Sequence, residues 1–258
     1  MTATDVYTGR HRRPGGPGAD LPSWTRAGRL LAAQVVVIAK EPVPGRVKTR
    51  LTPPFTPQQA AELAEASLAD TLAAVADTTV ARRVLALDGT SGSWLRGGFD
   101  VIGQRGAGLD ERIAWALADA RVTLPLPVVL IGMDTPQVTP GLLAAAAAPL
   151  VDKTADATFG LAEDGGFWLL GLREVDPALI LGVPMSQPDT GPRQLARLEE
   201  AGLRIRMLPE LTDVDTVREA ERVAAVTPGS RFAACLARLR EGAGQAVTPA
   251  AAVAAGAR

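Results

Sequence analysis

The chain has 258 residues, of which 47% are hydrophobic and 21% are charged, and its formal net charge is −1. This composition argues against a disordered chain, and the balanced charge argues against a protein that coats nucleic acid or a membrane surface. The single cysteine, Cys235, and the single histidine, His11, exclude an internal disulfide and a Cys/His zinc site. Any bound metal would therefore need oxygen ligands, which Mg²⁺, Mn²⁺ and Ca²⁺ prefer.

Local composition divides the chain into a central body and two tails. Residues 1–30 are rich in Pro, Gly and Arg and predict a flexible tail, and the Ala/Gly-rich residues 241–258 predict a second one. We expect residues 31–240 to form a single domain. No apolar run is long enough to span a membrane, and the N-terminus lacks the apolar core of a signal peptide, so we expect a cytoplasmic protein.

Short apolar runs alternate with segments of helical periodicity along the central body. The predicted strands are 34–39, 80–87, 99–102, 127–131, 156–161, 167–172 and 204–208. The predicted helices are 56–76, 109–120, 139–150, 190–201, 217–226 and 230–239. This alternation predicts a three-layer α/β/α fold in which helices cover both faces of a mostly parallel sheet.

A cationic loop, residues 40–50, follows the first predicted strand. Its sequence is Lys-Glu-Pro-Val-Pro-Gly-Arg-Val-Lys-Thr-Arg, and its cations are Lys40, Arg46, Lys48 and Arg50. A loop of this kind at the carboxyl end of a buried strand predicts a phosphate-binding site, although a solvated surface loop is the alternative. The loop does not match the phosphate-binding loop of nucleoside triphosphatases, because Pro42 stands where that motif has its first glycine.

Acidic residues follow two later strands of the predicted sheet. Asp134 lies in a Gly-Met-Asp-Thr-Pro turn after 127–131, where it could bind Mg²⁺ or simply form the turn. Asp213 and Asp215 precede the helix at 217–226. One of the two, more naturally Asp215, is expected to cap that helix, and the other is free to complete a metal site.

Two glycine-containing segments have open interpretations. Asp164-Gly165-Gly166 predicts either a hairpin turn or a substrate contact, since glycine permits close backbone approach. The Gly106-x-Gly108 pair opens a helix, but Glu111 replaces the third glycine of the dinucleotide-binding motif. A nicotinamide-dependent enzyme is therefore disfavoured.

Four motifs occur in order: the cationic loop, Gly-x-Asp-x-Pro, Glu-Asp-Gly-Gly-(aromatic) and Asp-x-Asp-Thr. With them the chain, over roughly residues 34–225, resembles the glycosyltransferase-A-fold (GT-A) transferases labelled radical-SAM/selenodomain-associated transferases. That family is similar in turn to phospholactate and molybdenum-cofactor guanylyltransferases. Two departures concern the expected acceptor pocket: Phe167 replaces the usual tyrosine, and residues 185–188 replace a Trp-Ser-Thr segment.

The resemblance implies a role for each matching position. The cationic loop, with Gly45, Arg46, Lys48 and Arg50, would bind phosphates, and Lys40 lies at its start. Asp134 would be the metal aspartate, with Asp215 or Asp213 as the second acidic ligand. Asp164, Gly165 and Gly166 would lie near the acceptor. Gln104 and Gly108 would help to enclose the base.

The sequence therefore predicts a Mg²⁺-dependent (or Mn²⁺-dependent) transferase in which Lys48 and Asp134 are the catalytic residues. Its partners would be a nucleotide or nucleotide-sugar and a small-molecule acceptor. The favoured reaction is nucleotidyl transfer to a phosphorylated small molecule, because a loop of cations suits charge that spreads over several phosphates. Glycosyl transfer from a nucleotide-sugar is one alternative, and a non-catalytic nucleotide-binding protein is another.

Overall fold

Seven strands form one sheet between two layers of helices in a computed structural model that describes residues 30–245. Strands β1 to β7 are Leu31–Lys40, Val80–Asp88, Asp100–Gly103, Val128–Ile131, Ala157–Leu161, Phe167–Leu172 and Ile205–Met207. Helices α1 to α6 are Pro57–Ala76, Leu109–Thr123, Pro140–Val151, Thr190–Glu200, Val217–Val226 and Arg231–Gln245. Each predicted strand and helix is present, most with ends shifted by a few residues, and the predicted tails fall mainly outside the described residues. None of the described helices is both long and apolar enough to cross a membrane.

The strand order is β3-β2-β1-β4-β6-β5-β7, and the pairing is parallel except where β6 runs against β4 and β5. In the centre, Val36 of β1 aligns with Val84 of β2 on one side and Leu130 of β4 on the other. The predicted mostly parallel three-layer α/β architecture is confirmed. Because six strands run the same way, their carboxyl ends meet the amino end of β6 at one edge of the sheet.

The first strand is apolar on both faces because both faces are covered. Val35 and Val37 pack with α1 and α3, whereas Val36 and Ile38 face α2 and α4. Val35, Val36 and Val37 are fully buried. This explains why β1 reads as a continuous apolar run instead of alternating polar and apolar positions.

Helices α5 and α6 pack on the outer side of α1 and form a third apolar cluster. Phe232 of α6 and Val223 of α5 are buried there with Leu63 of α1. The same cluster includes Leu51, at the end of the cationic loop, and Val214, between the two aspartates that precede α5. The cluster therefore anchors two segments that reach the carboxyl edge of the sheet.

The start of α5 corrects one prediction. Its N-cap is Thr216, whose hydroxyl accepts the N–H of Glu219 while the Glu219 carboxylate accepts the N–H of Thr216. Asp215 is therefore not the cap that the sequence favoured, because this reciprocal capping box already satisfies the first turn. The carboxylates of Asp213 and Asp215 are both left for other contacts.

Asp156 joins three strands at the edge opposite the carboxyl ends. Its side chain is 14% exposed and accepts hydrogen bonds from Arg204, before β7, and from Arg173, after β6. These bonds, first from Arg204 and then from Arg173, hold the pKa of Asp156 well below its usual value. Ionised Asp156 therefore stabilises the folded state.

Replacing Asp156 with Asn should lower the free energy of unfolding at pH 7 by about 2 kcal/mol, the scale of lost charge-assisted hydrogen bonds. The folded-state pKa is depressed, so this stabilisation is present above the ordinary value of 3.8 and disappears as the pH falls below it. Urea denaturation of both proteins between pH 3 and pH 7 measures the difference. The control is Asp189→Asn, which breaks an exposed pair with Arg193 and should cost much less. A pH-independent difference would contradict the assignment.

Candidate functional site

A cleft of about 740 Å³ opens at the carboxyl edge of the sheet. One wall contains the cationic loop, and the opposite wall contains residues from 164–168 and 185–190. The predicted site residues that line the cleft are Lys40, Arg46, Lys48, Arg50, Gln104, Asp134, Asp164, Gly166, Asp213 and Asp215. Gly45, Gly108 and Gly165 adjoin lining residues without lining the cleft themselves.

Lys48 joins the loop after β1 to the two acidic segments. Its Nζ lies 2.7 Å from Asp134 Oδ1 and 3.1 Å from Asp215 Oδ1, and its side chain is only 6% exposed. Burial alone would lower the pKa of Lys48, but the charges of Asp134 and Asp215 outweigh burial and raise it. The side chain therefore remains an ammonium ion between two carboxylates. Its backbone is left-handed, with φ of 49°.

Backbone contacts bring the acidic segments together. The N–H of Val214 donates to the carbonyl of Asp134 over 3.0 Å, and the amide of Gln137 donates to the carbonyl of Thr212 over 2.6 Å. From beneath, the buried hydroxyl of Ser67 donates to the carbonyl of Met133 over 2.7 Å. The turn after β4 and the segment before α5 are thus held side by side at the edge of the sheet.

Asp213 lies among other carboxylates in the cleft. Burial, followed by the negative charges of Asp134 and Asp164, raises its pKa to about 8, and Lys48 only partly opposes this. A carboxyl group with this environment holds a proton at neutral pH unless a cation replaces it. At neutral pH the negative charge of the cluster therefore lies on Asp134 and Asp215, which face Lys48 and Arg50.

The acidic cluster does not supply enough side-chain ligands to hold a metal ion by itself. Within residues 30–245, no group of three or more His, Cys, Asp and Glu side chains is arranged to hold a metal ion. Mg²⁺ often takes only one or two protein carboxylates and completes its shell with phosphate oxygens and water. Asp134 with Asp215 or Asp213 fits such a shared site, because the ligands are oxygens and because the neighbouring carboxylates disfavour a negative charge on Asp213 unless a cation is present.

The other cations of the loop differ in how they are held. Arg50 is 74% exposed and its Nη1 lies 3.1 Å from Asp215 Oδ2. Arg46 and Lys40 are exposed, line the cleft and make no ion pair with any residue of the described range 30–245. They are therefore available to an anionic ligand.

The wall beyond β2 and β3 contains residues that the sequence analysis did not single out. Asp88, at the end of β2, accepts a hydrogen bond of 2.7 Å from Arg112 of α2, and both line the cleft. Asp88 follows a buried strand as Asp134 does, so the same edge rule could have identified it. Gln104 donates to the carbonyls of Ala39 and Ala86 at 2.7 and 3.0 Å, which holds its side chain at this wall.

Thr135 is another cleft residue that the sequence analysis did not identify. Its position next to Asp134 is the one feature of the sequence that could have indicated it. Thr135 is 1% exposed, lines the cleft, and its hydroxyl has no hydrogen-bond partner among the described residues. A buried hydroxyl usually has a partner. Thr135 is therefore a candidate contact for a bound ligand.

The turn between β5 and β6 shows why its glycines are needed. Asp164 Oδ1 accepts the N–H of Gly166 over 2.8 Å, which closes a tight turn. Gly165 has φ of 90°, and a side chain there would collide with the carbonyl of Pro188. The segment forms a hairpin turn, and this turn places Asp164 at the cleft. The interpretation as a hairpin and the interpretation as a substrate contact are therefore compatible with each other.

Comparison with known proteins supports a transferase fold. Residues 71–187 match the profile of a family described as uncharacterized protein conserved in bacteria, DUF2064. A proposed nucleotide-diphospho-sugar transferase from Desulfovibrio desulfuricans G20 is 27% identical with a TM-score of 0.73, covering 82% of this chain and 95% of that one. A 4-diphosphocytidyl-2C-methyl-D-erythritol synthase from Anaerococcus prevotii DSM 20548 is 8% identical with a TM-score of 0.50, covering 76% and 96%. No curated protein sequence matches significantly.

These similarities establish the fold and leave the finer assignments open. The chain has the α/β fold of nucleotide-diphospho-sugar transferases, as the GT-A resemblance implied. The second structure, at 8% identity, supports the fold alone. The subfamily expected from the sequence motifs stays a prediction.

Replacing Lys48 with Met keeps the length of the side chain and removes its charge. Asp134 and Asp215 are then left without their shared cation, so the free energy of unfolding should fall by about 2 kcal/mol, less than for fully buried pairs. Chemical denaturation in EDTA measures the loss. Lys40→Met is the matched control, because Lys40 lines the same cleft without an ion pair among the described residues, and it should change stability little. Equal stability of Lys48→Met and the unchanged protein would contradict a structural role for the bridge.

Proposed function

We propose that this protein is a metal-dependent transferase that binds a nucleoside triphosphate or nucleotide-sugar in the cleft and transfers part of it to a small-molecule acceptor. The observation that carries the proposal is the meeting of the cationic loop with Asp134 and Asp215 through Lys48. Cations and carboxylates together are what a complex of phosphate and a divalent metal requires.

The cationic loop would bind the phosphates of the donor. Arg46, exposed at the cleft, can donate two parallel hydrogen bonds to a phosphate, and Lys40 can add a point charge. Lys48 is already fixed between carboxylates, so it would hold phosphate oxygens close to Asp134. As negative charge develops on the leaving phosphate, these fixed cations would stabilise it without reorganisation, which is the proposed catalytic role of Lys48.

The metal would be Mg²⁺ or Mn²⁺, held by Asp134 with Asp215 or Asp213. When bound, such an ion neutralises charge on the phosphates. Asp134 would thus be catalytic because it would hold the ion next to Lys48, whose Nζ lies 2.7 Å from its Oδ1. The raised pKa of Asp213 means that this carboxyl would release its proton when a cation arrives.

Two reactions fit a nucleotide bound in this way. Nucleotidyl transfer is supported by the concentration of cations in one loop, because attack at the α-phosphorus spreads charge over several phosphates. Glycosyl transfer is supported by the 27% identical structure, which is itself proposed to be a nucleotide-diphospho-sugar transferase. In glycosyl transfer the same residues would hold the diphosphate leaving group.

A thermal-shift titration with nucleoside triphosphates and nucleotide-sugars, each with and without Mg²⁺, tests the proposal. Replacing Arg46 with Ala should weaken the best ligand about tenfold, the usual scale for a lost charge-assisted phosphate contact. The control is Arg206→Ala, which removes an exposed arginine of β7 that does not line the cleft. Preference for a triphosphate indicates nucleotidyl transfer, and preference for a nucleotide-sugar over its diphosphate indicates glycosyl transfer. No stabilisation by any member of the panel would refute the proposal.

Replacing Asp134 with Asn should abolish the part of the ligand-induced shift that depends on Mg²⁺ and leave the metal-free shift largely intact. An amide is a much poorer ligand for Mg²⁺ than a carboxylate. Asp88→Asn is the matched control, because Asp88 lines the cleft but pairs with Arg112 on the opposite side of β1 from β4. If Asp134→Asn kept the full Mg²⁺ response, the metal assignment would be wrong.

A further inference from the structure

The two halves of the cleft differ in charge. In the sheet, β4 separates β1, β2 and β3 from β6 and β5, and the lining residues divide in the same way. All the cations that line the cleft belong to the half that follows β1, β2 and β3: Lys40, Arg46, Lys48, Arg50 and Arg112. That half is suited to the phosphates of a donor nucleotide.

The other half is the acceptor wall, defined as the cleft-lining residues of 164–168 and 185–190. Among these described residues there is no Lys, Arg or His, and the one charged side chain is Asp164. A phosphate or carboxylate placed here would lose its hydration without gaining a cation and would be repelled by Asp164. The charge of the acceptor wall therefore opposes an anionic ligand.

The N-terminus of α4 does not replace the missing cations. In the first turn of α4, Thr190 N–H donates to the carbonyl of Gln187, and Gly191 N–H donates to the carbonyl of Gly165 over 2.8 Å. The third residue, Pro192, has no N–H. This helix start is closed by contacts within the protein, so it cannot bind an anion in the way that open helix N-termini do.

The acceptor wall is apolar apart from Asp164 and a few neutral polar groups. Phe167 and Met185 are partly buried in the core cluster below, yet both line the cleft. Above them, Asp164 uses Oδ1 to accept the N–H of Gly166, which leaves Oδ2 for a ligand. The wall thus combines an apolar surface with one hydrogen-bond acceptor.

We propose that the acceptor is an uncharged or cationic small molecule whose apolar part lies on Phe167 and Met185 and whose hydroxyl or amino group donates to Asp164. This inference rests on the proposed function and names the class of its second substrate. It replaces the phosphorylated acceptor that the sequence alone favoured. The sequence already showed that residues 167 and 185–188 differ from those of the family that the chain resembles. That the acceptor wall has no cation could be recognised only from the structure, which shows which residues form the wall.

Three compounds with the same apolar body test the proposal: 2-phenylethanol, 2-phenylethylamine and 2-phenylethyl phosphate. Their dissociation constants are measured by ligand-observed NMR with the full-length protein. Met185→Ala should weaken the alcohol and the amine about fivefold through lost apolar contact, and leave the phosphate ester unchanged. Asp164→Asn should weaken the amine about fivefold, as for an exposed ion pair, and the alcohol less. Arg46→Ala should weaken only the phosphate ester, which we expect to bind in the half that holds the cations.

The inference is overturned if Met185→Ala weakens the phosphate ester as much as the amine, or if neither the alcohol nor the amine binds at millimolar concentration. Melting temperatures of all variants show whether each remains folded. The nucleotide titration distinguishes a failure of the proposed function from a failure of the acceptor class alone. If no nucleotide binds, the proposed function fails whatever the three compounds do. If a nucleotide binds and the phosphate ester occupies the acceptor wall, only the acceptor class is wrong.

Discussion

The ammonium group of Lys48 holds together three parts of the chain that are far apart in sequence. It belongs to the loop after β1, and its partners follow β4 and β7. Without this cation, Asp134 would lose its ion-pair partner and Asp215 would keep only the exposed Arg50. The apolar cluster around Leu51 and Val214 brings the same segments together from below. Electrostatics and packing therefore specify the same arrangement.

Much of the architecture could be predicted because it depends on local patterns. Continuous apolar runs identified the buried strands, and helical periodicity identified the helices. The rule that parallel strands end at one edge of the sheet placed Asp134 at the same edge as the cationic loop. Strand order was not predicted, since it depends on long-range pairing that no local pattern records. The reversed direction of β6 follows from the hairpin interpretation of 164–166, which the sequence left as one of two alternatives.

The site could be predicted only as far as single segments allowed. The sequence favoured Asp215 as the N-cap of α5, but Thr216 and Glu219 form the capping box. Only the structure shows that Asp215 lies beside Lys48 and Arg50. Gly108 starts α2 without lining the cleft. Thr135 was missed because its relevance comes from the residues around it, whereas Asp88 follows a buried strand and could have been identified as Asp134 was.

The reversed direction of β6 has a consequence for how such a protein can diversify. The β5–β6 turn is a local connection between antiparallel neighbours, so positions in it other than Gly165 can change in composition while the parallel strands keep their register. The half of the cleft that contains the cationic loop cannot change in this way, because Lys48 joins it to the segments that follow β4 and β7. On the proposed function, variation in acceptor chemistry would therefore accumulate, or could be engineered, at this hairpin while the cationic loop and its acidic partners stay constant.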